Sequence, residues 1–347
     1  MAIKTDHLVI SSEILKLIAE IDEFKGAWRA LGRIAPERLT RLRHVATIES
    51  VGSSTRIEGA QLTDREVEAL LSRVKGQRLA TRDEQEVAGY AAVIDLILSS
   101  FGAIGITENH IKQMHATLLQ HSGKDERHRG EYKKTPNRVE AFDESGKSLG
   151  VVFEPASPFD TPREMKELIE WYDDSKGLHP LIAIGVFVVV FLAIHPFQDG
   201  NGRLSRALTT LLLLRAGYAF IPYCSLENVI EQQRDAYYLA LRRTQGTLRS
   251  GQIDWSPWMT FFLRTLREHT RRLEAKIERE QIMRAAISEL AVRVLELAQE
   301  HGEVSVADVV RLTGSPRATV KKWVSVLSRE GKLQRLGKGR GTRYAPA

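Results

Sequence analysis

Apolar residues recur at spacings of three and four along most of this 347-residue chain, and that rhythm predicts helices almost throughout. Ile14 to about Leu31 places its apolar residues on one helical face. Thr63 precedes a further helix, with Glu66 three residues later completing a capping box. Thr81–Ser100, with EVAGYAAVIDLILSS, is again helical, Thr107 opens the apolar-periodic stretch IKQMHATLLQHSG, and Thr161-Pro162 opens another. Trp255, Trp258, Phe261 and Phe262 read as the edge of a core. The run Leu181–Ile194, LIAIGVFVVVFLAI, has no polar position. It falls short of the roughly 20 residues of a bilayer span. Periodicity does not separate a buried helix from a buried strand here, and the length favours helix. One stretch breaks the rhythm: between Gly130 and Ser157 two extended arms flank Asp143-Glu144-Ser145-Gly146, predicting a β-hairpin.

The C-terminal part reads differently. Glu268–Arg284 is highly charged and suits an exposed connecting helix. An amphipathic helix ending at Gly302 follows, then a short helix from Ser305 to Gly314. A third is capped by Ser315 with Pro316 in its first turn, and two short strands surround a Gly-Lys-Gly-Arg-Gly turn. Residues 281–347 carry 12 Lys/Arg against 6 Asp/Glu, so the formal excess of +6 lies there and the rest of the chain is balanced. This order of elements resembles a winged helix-turn-helix. Arg317, Lys321, Lys322, Lys338, Arg340 and Arg343 are its candidate phosphate contacts, making DNA a candidate partner beside protein binding or dimerisation. Cys224 is the only cysteine, which excludes an intrachain disulfide and reads as a core residue. With no signal-type N-terminus and no membrane-length run, the expected location is cytoplasmic, with no membrane partner.

Chemistry concentrates in His195-Pro196-Phe197-Gln198-Asp199-Gly200-Asn201-Gly202-Arg203-Leu204-Ser205-Arg206. Asp199 to Gly202 reads as a tight loop opening onto a helix from Arg203, and a helix N-terminus attracts anions. Gly200 and Gly202 allow close approach of backbone to phosphate. Arg203 and Arg206 share a helix face and suit a polyphosphate. Asn201 is a candidate donor to an α-phosphate oxygen. Asp199 is a hard oxygen ligand of the kind Mg²⁺ prefers. The imidazole of His195, with an ordinary pKa of about 6.5, suits a general base.

These residues match the complete Fic motif at every specified position, and the chain resembles the Fic family most specifically over residues 195–206. The resemblance implies a mostly α fold: a helical core with a β-hairpin flap near 130–157 that holds a target segment by strand addition. It implies ATP as substrate, Mg²⁺ as cofactor, and transfer of AMP to a Ser, Thr or Tyr hydroxyl of a target protein. Glycine at position 202 favours nucleotidyl transfer over relatives that carry lysine there. Ser54-Thr55-Arg56-Ile57-Glu58-Gly59 matches a second family pattern, which implies an inhibitory helix whose Glu58 pairs with Arg206 and occupies the place of a γ-phosphate. Tyr237 and Tyr238 are adenine-side candidates by the same resemblance. The expected divisions are 1–105 (helical, inhibitory near 54–59), 106–265 (catalytic core), 266–284 (connector) and 285–347 (winged helix). A homodimer is among the assemblies the resemblance allows. Removal of AMP by the same glutamate, and a nucleotide-sensing DNA-binding regulator, are the alternatives.

Overall fold

The computed structural model describes residues 3–30, 36–73, 79–137, 139–142, 148–250, 252–337 and 339–347. The turn expected at Asp143–Gly146, the helix end at Leu31 and the candidate contact Lys338 lie outside them. Among the described residues the chain is mostly helical, with two two-stranded antiparallel sheets. The helices up to the hairpin are α1 (Ser12–Ala30), α2 (Pro36–Ile57), α3 (Asp64–Arg73), α4 (Arg82–Ser100) and α5 (Glu108–Leu118). The start signals hold at atomic level. Thr63 and Glu66 bond reciprocally before α3, Thr81 and Glu84 form a capping box on α4, and the Thr107 side chain accepts from the His110 N–H. The hairpin is β1 (Val139–Phe142) against β2 (Ser148–Phe153), with Glu140 opposite Val151 and register shifts on both sides of Glu140-Ala141.

Then come α6 (Thr161–Asp174), α7 (Pro180–Ile194), α8 (Asn201–Arg215), α9 (Leu226–Glu231), α10 (Arg234–Gln245) and α11 (Ser256–His301). The apolar run is α7, and every residue from Leu181 to Ile194 is buried. A helix apolar on all sides belongs in the middle of a core. Helices α6, α8 and α10 pack around it, and Trp258 of α11 donates its indole N–H to the Gly185 carbonyl at 2.7 Å. No helix among the described residues is long and apolar enough to cross a membrane.

The chain divides into two compact units, Met1–Leu273 and Glu274–Ala347. Where the sequence pattern suggests a connector at 266–284 and a fresh helix after it, α11 is helical throughout, since neither Gly nor Pro interrupts it after Pro257. The smaller unit consists of the end of α11, α12 (Val306–Thr313), α13 (Arg317–Arg329), β3 (Leu333–Leu336) and β4 (Arg343–Pro346). Val294, Leu297, Val309, Val320, Val324, Leu327 and Leu333 form its core. Ser305 and Asp308 cap α12 reciprocally, and Gly314 closes it with φ 67°. The expected cap on α13 is corrected: Pro316 occupies the N-cap position with no side-chain bond, and the Ser315 N–H donates to Thr313 Oγ1 instead.

Candidate active site

The loop between α7 and α8 is shorter than its sequence suggests. Helix α8 begins at Asn201, so Asn201 and Gly202 form its first turn and Gly200 is the N-cap at φ 80°. The reason lies in Asn201, which is buried and turned back onto the loop. Its Oδ1 accepts from the Phe197 N–H at 2.9 Å and its Nδ2 donates to the Phe197 carbonyl at 2.7 Å. The side chain expected to face an α-phosphate thus clips the loop into shape. Phe197 is fully buried and stacks on His115 with ring centroids 3.8 Å apart.

His195 is the C-cap of α7 at φ 52° and ψ 60°, the only non-glycine with positive φ among the described residues. A β-carbon makes this conformation unfavourable, and such strain concentrates at functional sites. His195 Nδ1 lies 3.3 Å from the Leu192 carbonyl, which only accepts, so Nδ1 carries the proton and Nε2 keeps its lone pair. Burial, and then the charge of Lys133, lower the imidazole pKa to about 4. The ring is therefore neutral at pH 7, as a proton acceptor must be.

Helix α8 presents both arginines. Arg206 is buried, with Nε donating to Ser54 Oγ at 2.9 Å and Nη2 to the Ser54 carbonyl and Glu58 Oε1, each at 2.8 Å. Burial opposes its charge, but Glu58 and the nearby Tyr237 and Tyr90 oxygens raise its pKa above the usual guanidinium range. Arg203, 2% exposed, lies 3.3 Å from Glu86 Oε2 and donates to Asp199 Oδ1 at 3.3 Å. Two buried donors, Nε of Arg203 and Nη1 of Arg206, have no hydrogen-bond partner among the described residues, and Nη1 of Arg203 meets only the Glu86 carboxylate. Unpaired buried donors are costly, and two at one helix start fit a site built for an anion. Asp199 also accepts from its neighbour's Gly200 N–H at 2.6 Å and from Arg82 at 3.3 Å. Burial favours its neutral form, but Arg203, the Gly200 N–H and Arg82 outweigh it and lower its pKa.

Ser54 lies in the last turn of α2, and Glu58 in the turn just beyond it, closed by Gly59 at φ 106°. Both reach Arg206 as the four-residue spacing predicts. The Glu58 carboxylate also lies against the first turn of α8, where a Cβ at position 202 would collide with it. Gly202 therefore admits an acidic group to the helix start. The Glu58 carboxylate thus lies where the positive end of the helix dipole favours negative charge.

The adenine-side pair separates. Tyr237 is 3% exposed and packs between Tyr238, Trp258 and Phe261 as a core residue. Tyr238 is 37% exposed, with its hydroxyl 3.4 Å from the Ile57 carbonyl, and is the member open to a ligand.

Three features escaped the sequence. His115 bonds through Nε2 to the Asp199 carbonyl at 3.0 Å, while its Nδ1 accepts from the Gly130 N–H at 3.0 Å. Burial lowers its pKa to about 4. A signal existed, since His115 is a polar residue on the apolar face made by Ile111, Met114 and Leu118. Unfolded chain takes up protons that folded His115 and His195 refuse between about pH 4 and 6.5, so stability is highest above that window and falls as pH drops through it. Urea unfolding at pH 7 and pH 5 is expected to show this loss, at about 1.4 kcal/mol per pH unit for each imidazole. His115→Asn should flatten the slope by one proton, and a slope unchanged by that substitution would contradict the assignment.

Arg56 is the second. It donates to Glu231 at 2.6 and 3.0 Å, to Asp64 at 2.9 Å, to the Leu62 carbonyl at 2.9 Å and to Ser53 at 3.2 Å. It thereby ties the turn carrying Glu58 to α3 and α9. Arg56→Ala is expected to loosen that turn and act in the same direction as loss of Glu58, with a smaller gain in nucleotide transfer. Transfer equal to wild type would show that the turn holds without it. The third feature is the segment 133–137, whose Lys133 and Asn137 bond to the carbonyls of Ile194, at the end of α7, and Phe197, in the loop before α8.

Residues 105–213 match the Fic/DOC family and residues 285–347 match the C-terminal domain of the DIP2311-like transcriptional regulators. The chain carries a Fic/DOC-family domain followed by a regulator-type C-terminal domain. It is 28% identical to the protein adenylyltransferase Fic of Drosophila grimshawi over 253 residues, 71% of this chain and 48% of the fly protein. It is 29% identical to a probable protein adenylyltransferase of Aquifex aeolicus over 31% of this chain and 34% of that protein. The matches thus span half or less of these relatives. Among solved structures, a Fic family protein from Desulfovibrio desulfuricans G20 superposes with TM-score 0.65 at 26% identity, covering 98% of this chain and 97% of that one. Fic-1 from C. elegans shares the fold, with TM-score 0.60 at 20% identity over 77% of this chain and 72% of that one.

Proposed function

We propose that this chain is a protein adenylyltransferase that moves AMP from ATP to a Ser, Thr or Tyr hydroxyl of a target protein, restrained by Glu58. The observation that carries it is the meeting at the start of α8 of a neutral imidazole, unpaired arginine donors and a carboxylate in a phosphate's place. With ATP bound, the uncapped first turn of α8 and Arg203 hold the phosphates. The target hydroxyl oxygen bonds to the α-phosphorus as the bond to the bridging oxygen breaks. Its proton passes to His195 Nε2, and pyrophosphate leaves with the arginines balancing its charge.

Asp199 fits Mg²⁺ as a single carboxylate ligand, with phosphate oxygens and waters completing the shell, and no group of three His, Cys, Asp or Glu gathers among the described residues. The ion would neutralise charge on the phosphates. The β1–β2 hairpin is placed by sequence to receive a target segment as an added strand, and Tyr238 would border the adenine. Mass spectrometry of a lysate treated with the Glu58→Gly protein and Mg-ATP tests the proposal. Peptides heavier by one AMP residue at a hydroxyl support it, and a lysate free of such peptides counts against it.

The C-terminal match favours a second activity. Three helices and a hairpin follow the order of a winged helix, in which α13 would be the recognition helix, with Arg317, Lys321 and Lys322 exposed on it. DNA binding by this unit would fall steeply with salt, and a gel shift insensitive to salt would argue against phosphate contacts.

A further inference from the structure

Four successive carbonyls around the catalytic histidine accept hydrogen bonds from one short segment. Lys133 Nζ donates to the Ile194 carbonyl at 3.0 Å, and the Lys133 N–H donates to that of Pro196 at 2.9 Å. Asn137 Nδ2 donates to the Phe197 carbonyl at 2.9 Å and lies 3.4 Å from that of His195. Lys133 Nζ also donates to Asn137 Oδ1 at 2.8 Å, linking the two side chains, and Thr135 Oγ1 donates to Gln198 Oε1 at 2.8 Å. Lys133 is 3% exposed, an unusual depth for a lysine; burial and then Arg249 oppose its charge and Glu164 supports it. Its cost is met by this set of acceptors. The segment ends two residues before β1.

We propose that residues 133–137 form a strap that positions the catalytic imidazole, with Lys133 and Asn137 as its positioning residues. His195 is held in a left-handed conformation that its own β-carbon disfavours, and the direction of the ring follows from that backbone. The α7 helix ends there, and its terminal carbonyls would otherwise turn to water and leave the loop several conformers. The strap fixes all four carbonyls at once, so Nε2 has one place to point. It also sets a positive charge near the ring, which faces Lys133, Glu58 and Asp199, and burial followed by Lys133 lowers the imidazole pKa. The strap leads directly into the hairpin, so the base and the strand that would receive the target are joined by one short length of chain.

The inference rests on the AMP-transfer reading, and the test separates the two. In a Glu58→Gly background, Asn137→Asp keeps size and shape but removes the amide donor, while Lys133→Met removes the ammonium. Each is expected to lower kcat for AMP transfer about 30- to 100-fold, the scale of a misplaced reacting group, with the Kd for MgADP changed less than threefold. Lys133→Arg should recover most of the Lys133→Met loss. NMR of the His195 ring should show its titration moved upward in Lys133→Met. Equal kcat in the variants and the parent overturns the strap. So does joint loss of MgADP binding and transfer, which marks a structural role alone. If the Glu58→Gly parent transfers no AMP, the enzymatic reading fails instead, and the ring titration still decides: unchanged in Lys133→Met, it overturns the strap.

Discussion

Replacing Glu58 with glycine is expected to raise transfer of AMP from α-labelled ATP about 10- to 1,000-fold, with self-labelling seen first. The carboxylate accepts from Arg206 at 2.8 Å and lies over Gly202 at the start of α8. A phosphate entering that space must displace it and take over the Arg206 bond. Arg206 is buried but Glu58 is exposed, so parting them costs less than the roughly 3–5 kcal/mol of a fully buried pair, and the incoming phosphate recovers part of this. A net difference of about 1.4–4 kcal/mol gives the stated range. Glycine removes the competitor and leaves the donors of Arg206 and α8 to the nucleotide. Ser54 still accepts from Arg206 Nε, so the arginine stays oriented. Filter-bound label compared between wild type and variant measures the effect. Equal labelling would mean that Glu58 pairs with Arg206 without restraining the reaction, and net loss of bound AMP in wild type would favour the removal activity.

The second large effect runs the other way. His195→Ala in the Glu58→Gly background is expected to lower kcat about 100- to 10,000-fold, the usual contribution of a positioned general base. Nucleotide affinity should change little, because in the proposed site Arg203, Arg206 and the first turn of α8, and not the imidazole, would hold the phosphates. The split matters more than the loss. A fall in MgADP affinity as large as the fall in kcat would show that alanine disturbs the loop, and His195 would then be a structural cap. The DNA binding proposed for the C-terminal unit should be untouched in either case.

Much of the fold was legible because helical periodicity and caps are local. The pair Thr63/Glu66 occurs in the structure as the three-residue spacing predicts. The apolar Leu181–Ile194 had two readings by pattern, of which length favoured helix, and the structure forms it as α7. The meeting of Ser54 and Glu58 with Arg206 spans about 150 residues of chain, and only the two motifs together pointed to it. What stayed hidden depends on backbone acceptors. Asn201 was read as a phosphate donor because side-chain chemistry names a donor without naming its partner. Lys133 and Asn137 bond mainly to carbonyls, which every residue carries, so no residue type in the loop signals them. Ser315 has the composition of a cap, yet the chain turns one residue later, at Pro316.

The most direct test of the account compares α-labelled with γ-labelled ATP as donor to the Glu58→Gly protein in Mg²⁺, with pyrophosphate release measured in the same tube. AMP transfer at the start of α8 predicts protein-bound label from the α position only, matched one for one by pyrophosphate and absent in Glu58→Gly/His195→Ala. Protein-bound label from the γ position, or label that persists without His195, would contradict it.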